Sequence, residues 1–179
     1  MADYLGFRFI DSAYWVKFNM DGTVNPEASY SALRSQVLPN VGTVIPGFYG
    51  AMPDGTIHTF SRGGSDITGA IVARAAYAEL YENWTDVSGF LMTDPRIVPD
   101  ARPIRNITYS ELRELSYMGA GVLHEDSVFP VHRAGIPTNI RNTNEPDARG
   151  TMITHGAVDE ENPYVITGIA GRLGFSVLS

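Results

Sequence analysis

Short apolar runs alternate with helical-period stretches along this chain, and each change of rhythm marks an element. Residues 7–10 (FRFI) predict a strand, and 14–18 (YWVKF) form a second apolar run before the Asp21-Gly22 turn. Residues 31–37 predict a short helix. Residues 43–49, TVIPGFY, predict a buried strand running into a glycine-bounded loop, and Pro53-Asp54-Gly55 predicts a turn. The clearest helix spans 65–80, capped by Ser65 or Asp66. Ala70, Ala73, Ala75, Ala76 and Ala78 make it narrow enough to lie close to a sheet. A strand end follows at 82–84. A second helix spans 108–118: Thr108 caps it, Glu111 holds the capping-box position, and Leu112, Leu115 and Met118 recur at helical spacing. Gly119 and Gly121 end it. Residues 122–134 are helical in part and broken or kinked near Pro130. Strands are predicted at 137–141, 151–153 and 164–169, the last set apart by the polar, proline-ended stretch 155–163.

Strands that alternate with helices, several of them continuous apolar runs, predict a layered α/β domain with a mainly parallel sheet. In such sheets ligands sit at the carboxyl ends of strands. The loops 50–66 and 85–96 both follow strands, which puts both on that side.

Charge and composition narrow the function. Thirteen Lys and Arg stand against 20 Asp and Glu, a formal net charge of −7. That excess of acid predicts neither a nucleic-acid nor an anionic-membrane partner, both of which require a basic face. With 44% hydrophobic and 18% charged residues the chain has the make-up of an ordinary globular domain. It has no cysteine, which excludes disulfides, thiolate zinc sites and a cysteine nucleophile. No apolar run reaches transmembrane length, and MADYLGFRFIDS lacks the basic and apolar regions of a signal peptide. A cytoplasmic protein is expected.

The candidate chemistry centres on Arg62-Gly63-Gly64-Ser65-Asp66, directly before the alanine-rich helix. Two glycines let backbone approach a ligand, and a helix start turns unpaired N–H groups toward it. An adjacent arginine grips a carboxylate or phosphate through two parallel hydrogen bonds. The combination suits an anion at a helix N-terminus; the plainer alternative is a glycine turn with a helix cap. Thr85-Asp86 at a strand end suits a ribose, a base or a metal, and Asp94-Pro95-Arg96 adds a cation on the same loop. Other combinations are weaker. Gly119-Ala120-Gly121 follows a helix and lacks the third glycine of a dinucleotide fingerprint. His124, Glu125, Asp126 and His132 fit no metal-binding helix spacing, and a polar helix start explains them.

Four strings in order, PGFYG (46–50), TFSRGGSDITGAIVARA (59–75), WTDVSGFLMTDPRIVPDARPI (84–104) and YSELRELSYMGAGVLHEDSVFPVHRAGIPTNIRNTNEPDARGTMI (109–153), resemble the aspartokinases of the amino-acid kinase family. The tail VITGIAGRLGFSVLS resembles the opening of that family's regulatory ACT domain. The resemblance implies a three-layer αβα sandwich with a mainly parallel sheet. In it, 1–154 is the nucleotide-binding part of the kinase domain, 155–163 a linker and 164–179 the start of an ACT domain. It implies ATP-dependent phosphorylation of L-aspartate to 4-phospho-L-aspartate, with Mg2+, on the route to lysine, threonine and methionine. At full length it implies a homo-oligomer and a feedback amino acid on the complete ACT domain. Arg62, Gly63, Gly64, Ser65 and Asp66 match positions that face aspartate. Thr85, Asp86, Leu91, Arg96, Gly121 and Val122 match positions that hold the nucleotide.

Three departures stand out. Leu91 replaces an aromatic residue, and Gly121 replaces a lysine found in many relatives. The family's Lys-Phe-Gly-Gly phosphate-handling motif is absent, since Lys17-Phe18, with the only lysine, lacks the glycines. An interior piece of an aspartokinase, inactive by itself and with no catalytic residue assigned, is therefore expected. Two alternatives remain: a non-catalytic nucleotide-binding or regulatory protein derived from the same fold, and an amino-acid kinase with another acceptor.

Overall fold

The structure, a computed structural model, describes residues 1–38, 40–117, 125–156 and 166–171. In chain order the elements are α1 (Ala2–Leu5), β1 (Arg8–Phe9), a 3-10 turn (Ser12–Tyr14), α2 (Pro26–Arg34), β2 (Thr43–Val44), β3 (Tyr49–Ala51), β4 (Ile57–Thr59), α3 (Gly64–Ala75), β5 (Tyr81–Thr85), β6 (Asn106–Thr108), α4 (Tyr109–Tyr117), α5 (Glu125–Ala134), β7 (Thr138–Asn142) and β8 (Thr151–Thr154). They form two compact units. One joins Met1–Glu79 with Asp126–Ala134, and the other joins Leu80–Glu125 with Gly135–Ser179.

The first unit closes around Trp15, Val16, Phe18, Tyr30, Leu33, Ile71 and Ala75. The apolar run 14–18 supplies three of these side chains without forming a full strand. Asp11 accepts the Ala13 amide at 2.9 Å and starts the 3-10 turn. Val16 and Phe18 then bracket Ala51 through backbone hydrogen bonds of 3.0 Å each. A Cβ at Gly50 would lie 2.5 Å from Val16, so this approach requires glycine. α2 begins at Pro26 rather than at 31, because Asn25 caps it through the Ala28 amide at 3.1 Å and Pro26 suits a first turn. The expected strand 43–49 is split. Only Thr43–Val44 pairs with β1, in parallel. Pro46 has no N–H to give, and Phe48 turns left-handed at φ 66°. The chain re-forms at Tyr49 as an antiparallel hairpin of β3 and β4.

α3 also differs from expectation. Its N-cap is Gly63, at φ 58°, rather than Ser65 or Asp66. It ends at Ala75, and Tyr77 turns left-handed at φ 52° instead of continuing to residue 80.

The second unit is built on a sheet in the order β5-β7-β8-β6. Its two outer pairings are parallel and the central β7–β8 pairing is antiparallel, so it is mainly parallel, as expected. Ile107, Leu112, Ile140 and Ile153 are fully buried in it. The capping box at α4 forms as the sequence predicts: Glu111 accepts the Thr108 amide at 2.8 Å, and Thr108 Oγ1 accepts the Glu111 amide at 3.2 Å. α5, which from Asp126 on belongs to the first unit, runs through Pro130. The expected helix end at Gly119 and Gly121 lies outside the described residues, as do most of the linker and of 164–179. The described part of the predicted strand 164–169 forms no strand. Ile169 N–H instead donates to Met92 O at 2.6 Å, and Thr167 Oγ1 to Glu111 Oε1 at 2.5 Å. Among the described residues no helix is long and apolar enough to cross a membrane.

Candidate functional site

Two groups of predicted residues stand in the two units. In the first, the loop 46–49 lies directly on the first turn of α3. A Cβ at Gly64 would come within 2.8 Å of Phe48 Cα and Phe60 Cβ, and one at Gly47 within 3.1 Å of Ser65 Cα. On the other side of the turn, the buried Ser127 Oγ lies 2.9 Å from where a Gly63 Cβ would stand. Gly64 is therefore required by its close approach to backbone, and Gly63 by its left-handed φ.

Thr68 ties this turn together. Its hydroxyl donates to Gly64 O at 2.6 Å and accepts the Phe48 amide at 3.1 Å. Thr68→Val keeps the shape but leaves the Phe48 amide without its acceptor. It is expected to lower stability by about 1–3 kcal/mol, read from a urea melt; an unchanged midpoint would remove Thr68 from this role.

The resulting surface suits an anion. First-turn amides of a helix have no intrahelical acceptor, and the N-cap residue here, Gly63, has no side chain to take one. The helix dipole adds partial positive charge. Arg62 is exposed beside them and makes no hydrogen bond or ion pair among the described residues. Ser65 is exposed, and Asp66 is partly buried. Phe48, 54% exposed, presents its ring at the same turn from a strained backbone. Sequence reasoning did not single out Phe48 or Thr68. The glycines flanking Phe48-Tyr49 were the available signal for the first.

In the second unit, β5 ends at Thr85, whose hydroxyl donates to Asp86 Oδ1 at 3.2 Å. Asp86 is exposed, and so are the apolar side chains of Trp84, Val87 and Leu91. Residues 90–92 run antiparallel to 102–104: Ile104 N–H donates to Phe90 O and Met92 N–H to Arg102 O, both at 2.8 Å. The turn between them carries Arg96. Asp94 Oδ2 accepts from Arg96 Nη2 at 2.6 Å and Oδ1 from Nε at 3.0 Å. These side-chain hydrogen bonds, with the Arg96 amide, hold the Asp94 carboxyl down at about 2 from its ordinary 3.8. The folded value is depressed, so the pair's contribution is complete above the ordinary value and is lost as pH falls through about 2. An NMR titration is expected to find Asp94 charged well below pH 3.8, and Arg96→Ala to return it toward that value.

Gly121 and Val122 lie outside the described residues, as does His124. Among the described residues no group of three or more His, Asp or Glu could hold a metal ion. His58 packs edge-on against Phe18 with ring centroids 4.8 Å apart.

The sequence profile of the amino acid kinase family matches residues 10–142. Aspartokinase 3 of Bacillus subtilis (strain 168) is 46% identical over 132 residues, which make up 74% of this chain and 29% of that protein. The crystal structure of Clostridium acetobutylicum aspartate kinase is similar with a TM-score of 0.86 and 53% identity, covering 94% of this chain and 39% of that one. E. coli aspartokinase III, solved in complex with aspartate and ADP, is similar with a TM-score of 0.80 and 31% identity, covering 91% of this chain and 37% of that one. The chain spans about a third of the length of the curated relatives it matches.

Proposed function

The chain belongs to the amino acid kinase family, and from that membership we propose that its protein is an aspartokinase, transferring the γ-phosphoryl group of ATP to the β-carboxylate of L-aspartate. The observation that carries this reading is the α3 N-terminus: a Gly63-Gly64 turn packed closely under Phe48, the first-turn amides of a helix, and an unengaged Arg62 beside them.

In this reading Arg62 pairs with a substrate carboxylate. The amides around Gly63 and Gly64, with Ser65, orient the amino acid, and Asp66 takes its ammonium group. Thr85, Asp86 and Arg96 position ATP, joined by Leu91, Gly121 and Val122. The exposed faces of Trp84, Val87 and Leu91 suit a nucleobase. A carboxylate oxygen of aspartate attacks the γ-phosphorus in line, the bond to the ADP oxygen breaks, and ADP leaves. No covalent intermediate with the protein is needed, and the protein contributes positioning and charge stabilisation. Mg2+ keeps several of its waters and is held largely by phosphates, so it needs no cage of three or more protein ligands. It would supply neutralisation of phosphate charge. A cytoplasmic location, a homo-oligomeric state and response to a feedback amino acid belong to the same proposal.

The test is a coupled ADP-release assay with L-aspartate, on a protein of the length its relatives have. Aspartate-dependent ADP formation is expected. ADP binding without turnover would favour a second reading, a nucleotide-binding regulatory protein, which rests on the lack of a Lys-Phe-Gly-Gly motif in these 179 residues.

Nucleotide binding has its own check. Asp86→Ala and Arg96→Ala are each expected to weaken ADP binding in a calorimetric titration. Asp54→Ala is expected to leave it unchanged, because Asp54 serves its own turn, accepting the Thr56 amide at 2.9 Å and hydroxyl at 2.7 Å. Equal losses from all three would point to a fold defect.

A further inference from the structure

We propose that the turn at residues 142–145 is a positioning device for the Thr85–Phe90 segment, with the Ser88 hydroxyl as its hub, and that it presets this segment for a nucleoside diphosphate. The proposal rests on the reading that the 85–96 loop takes the nucleotide.

β5 and β7 are parallel neighbours with Thr85 in register with Asn142, so both strands end together and their loops leave at the same edge. The two loops are then cross-tied. Thr85 O accepts the Thr143 amide at 2.8 Å and the Thr143 hydroxyl at 3.0 Å. Three residues on, Ser88 Oγ accepts from Asn142 Nδ2 at 2.9 Å and donates to Glu145 Oε2 at 2.8 Å. The 142–145 turn is itself fixed, because Asn142 Oδ1 accepts the Asn144 amide at 2.9 Å and Asn142 O accepts the Glu145 amide at 3.2 Å. Asn142 is 7% exposed, so this polar side chain stands in the interior with both of its ends satisfied.

A third tie lies just beyond. Phe90 N–H donates to Thr151 Oγ1 at 2.8 Å, and that hydroxyl donates to Ile104 O at 2.6 Å. The segment is thus held by backbone at 85 and 90 and by the side chain at 88, while Asp86 and Val87 form an exposed crest between the ties. A loop ordered during folding does not have to be ordered again on binding, and that saving appears as affinity. Ser88 does not touch the ligand in this proposal. It acts through the Asp86 backbone.

The experiment is ADP titration, in a protein of the length its relatives have, of the native chain, Ser88→Ala, Ser88→Thr and Asp86→Ala, with amide hydrogen exchange across 85–90 and a thermal melt of each. Ser88→Ala removes the hub but keeps both Thr143 contacts, so the fold is retained. The expected result is a Kd for ADP raised about three- to tenfold in Ser88→Ala, with faster exchange at 86–88. Ser88→Thr, which keeps the hydroxyl, restores both. Native affinity and native exchange in Ser88→Ala, with Asp86→Ala still weakened, would overturn this inference and leave the nucleotide reading intact. A loss of affinity that Ser88→Thr does not restore, with the melting temperature falling in step, would make the ties merely structural and also overturn it. Absence of ADP binding by the native chain would overturn the nucleotide reading and this inference with it.

Discussion

In a protein of the length its relatives have, Arg62→Ala raises the KM for L-aspartate by roughly tenfold or more and leaves that for ATP nearly unchanged. The reason is geometric and electrostatic. Arg62 directly precedes the Gly63-Gly64 turn, is exposed, and has no partner among the described residues to give up. Its guanidinium stands beside first-turn amides that already favour negative charge. A guanidinium–carboxylate contact is charge-assisted, and deleting one partner of such a pair, once buried, costs roughly 2–5 kcal/mol, well over tenfold in affinity. Arg62→Lys should recover only part of the loss, because an ammonium lacks the planar fork. If Arg62 instead served only to pin the loop, both KM values would rise together and the melting temperature would fall. Steady-state kinetics beside a thermal melt separate the two outcomes.

Gly150→Ala is expected to be the most damaging added methyl group among the described glycines. Gly150 sits just before β8 at φ 71°, and a Cβ there would stand 1.9 Å from Ile140 O. The obstructing atom is backbone, in a strand paired on both sides, so it cannot swing away as a side chain would. Relief requires parting Ile140 from Thr151, which are paired in the β7–β8 ladder. Left-handed backbone and forced overpacking together cost roughly 3 kcal/mol or more. Gly135→Ala isolates the first contribution: its φ is 70°, but nothing lies within 4 Å of the added carbon. That variant should lose only about 1–2 kcal/mol. Urea melts of the pair measure the difference, and equal losses would mean that the strands adjust freely. Thr151 also holds the Phe90 amide, so Gly150→Ala should weaken ADP binding as well.

What could be read from the sequence was what depends on neighbours in sequence. The α4 capping box needs only residues three apart, and Thr108 and Glu111 pair as their spacing predicts. β7 and β8 lie within a residue of their expected places, because each is a short segment bounded by glycine, proline or asparagine. The Gly63-Gly64 turn before α3 was visible for the same reason, since a double glycine before a helix has few other uses. Tertiary contacts decided the rest. Whether Ser65, Asp66 or Gly63 caps α3 is undetermined locally; the approach of Phe48 and Phe60 leaves no room for a side chain at Gly64, and Gly63 takes the left-handed φ that starts the helix. The run 43–49 has strand composition, yet β1 pairs with only two of its residues and Phe48 turns away to meet Thr68. The run 14–18 was legible as apolar but not as irregular backbone, which follows from the pairing of Val16 and Phe18 around Ala51. The ties at Ser88 join residues 54 and 57 positions apart. Nothing in the local pattern connects Ser88 with Asn142 or Glu145. They meet because β5 and β7 lie parallel and in register, a pairing formed only when the whole sheet assembles.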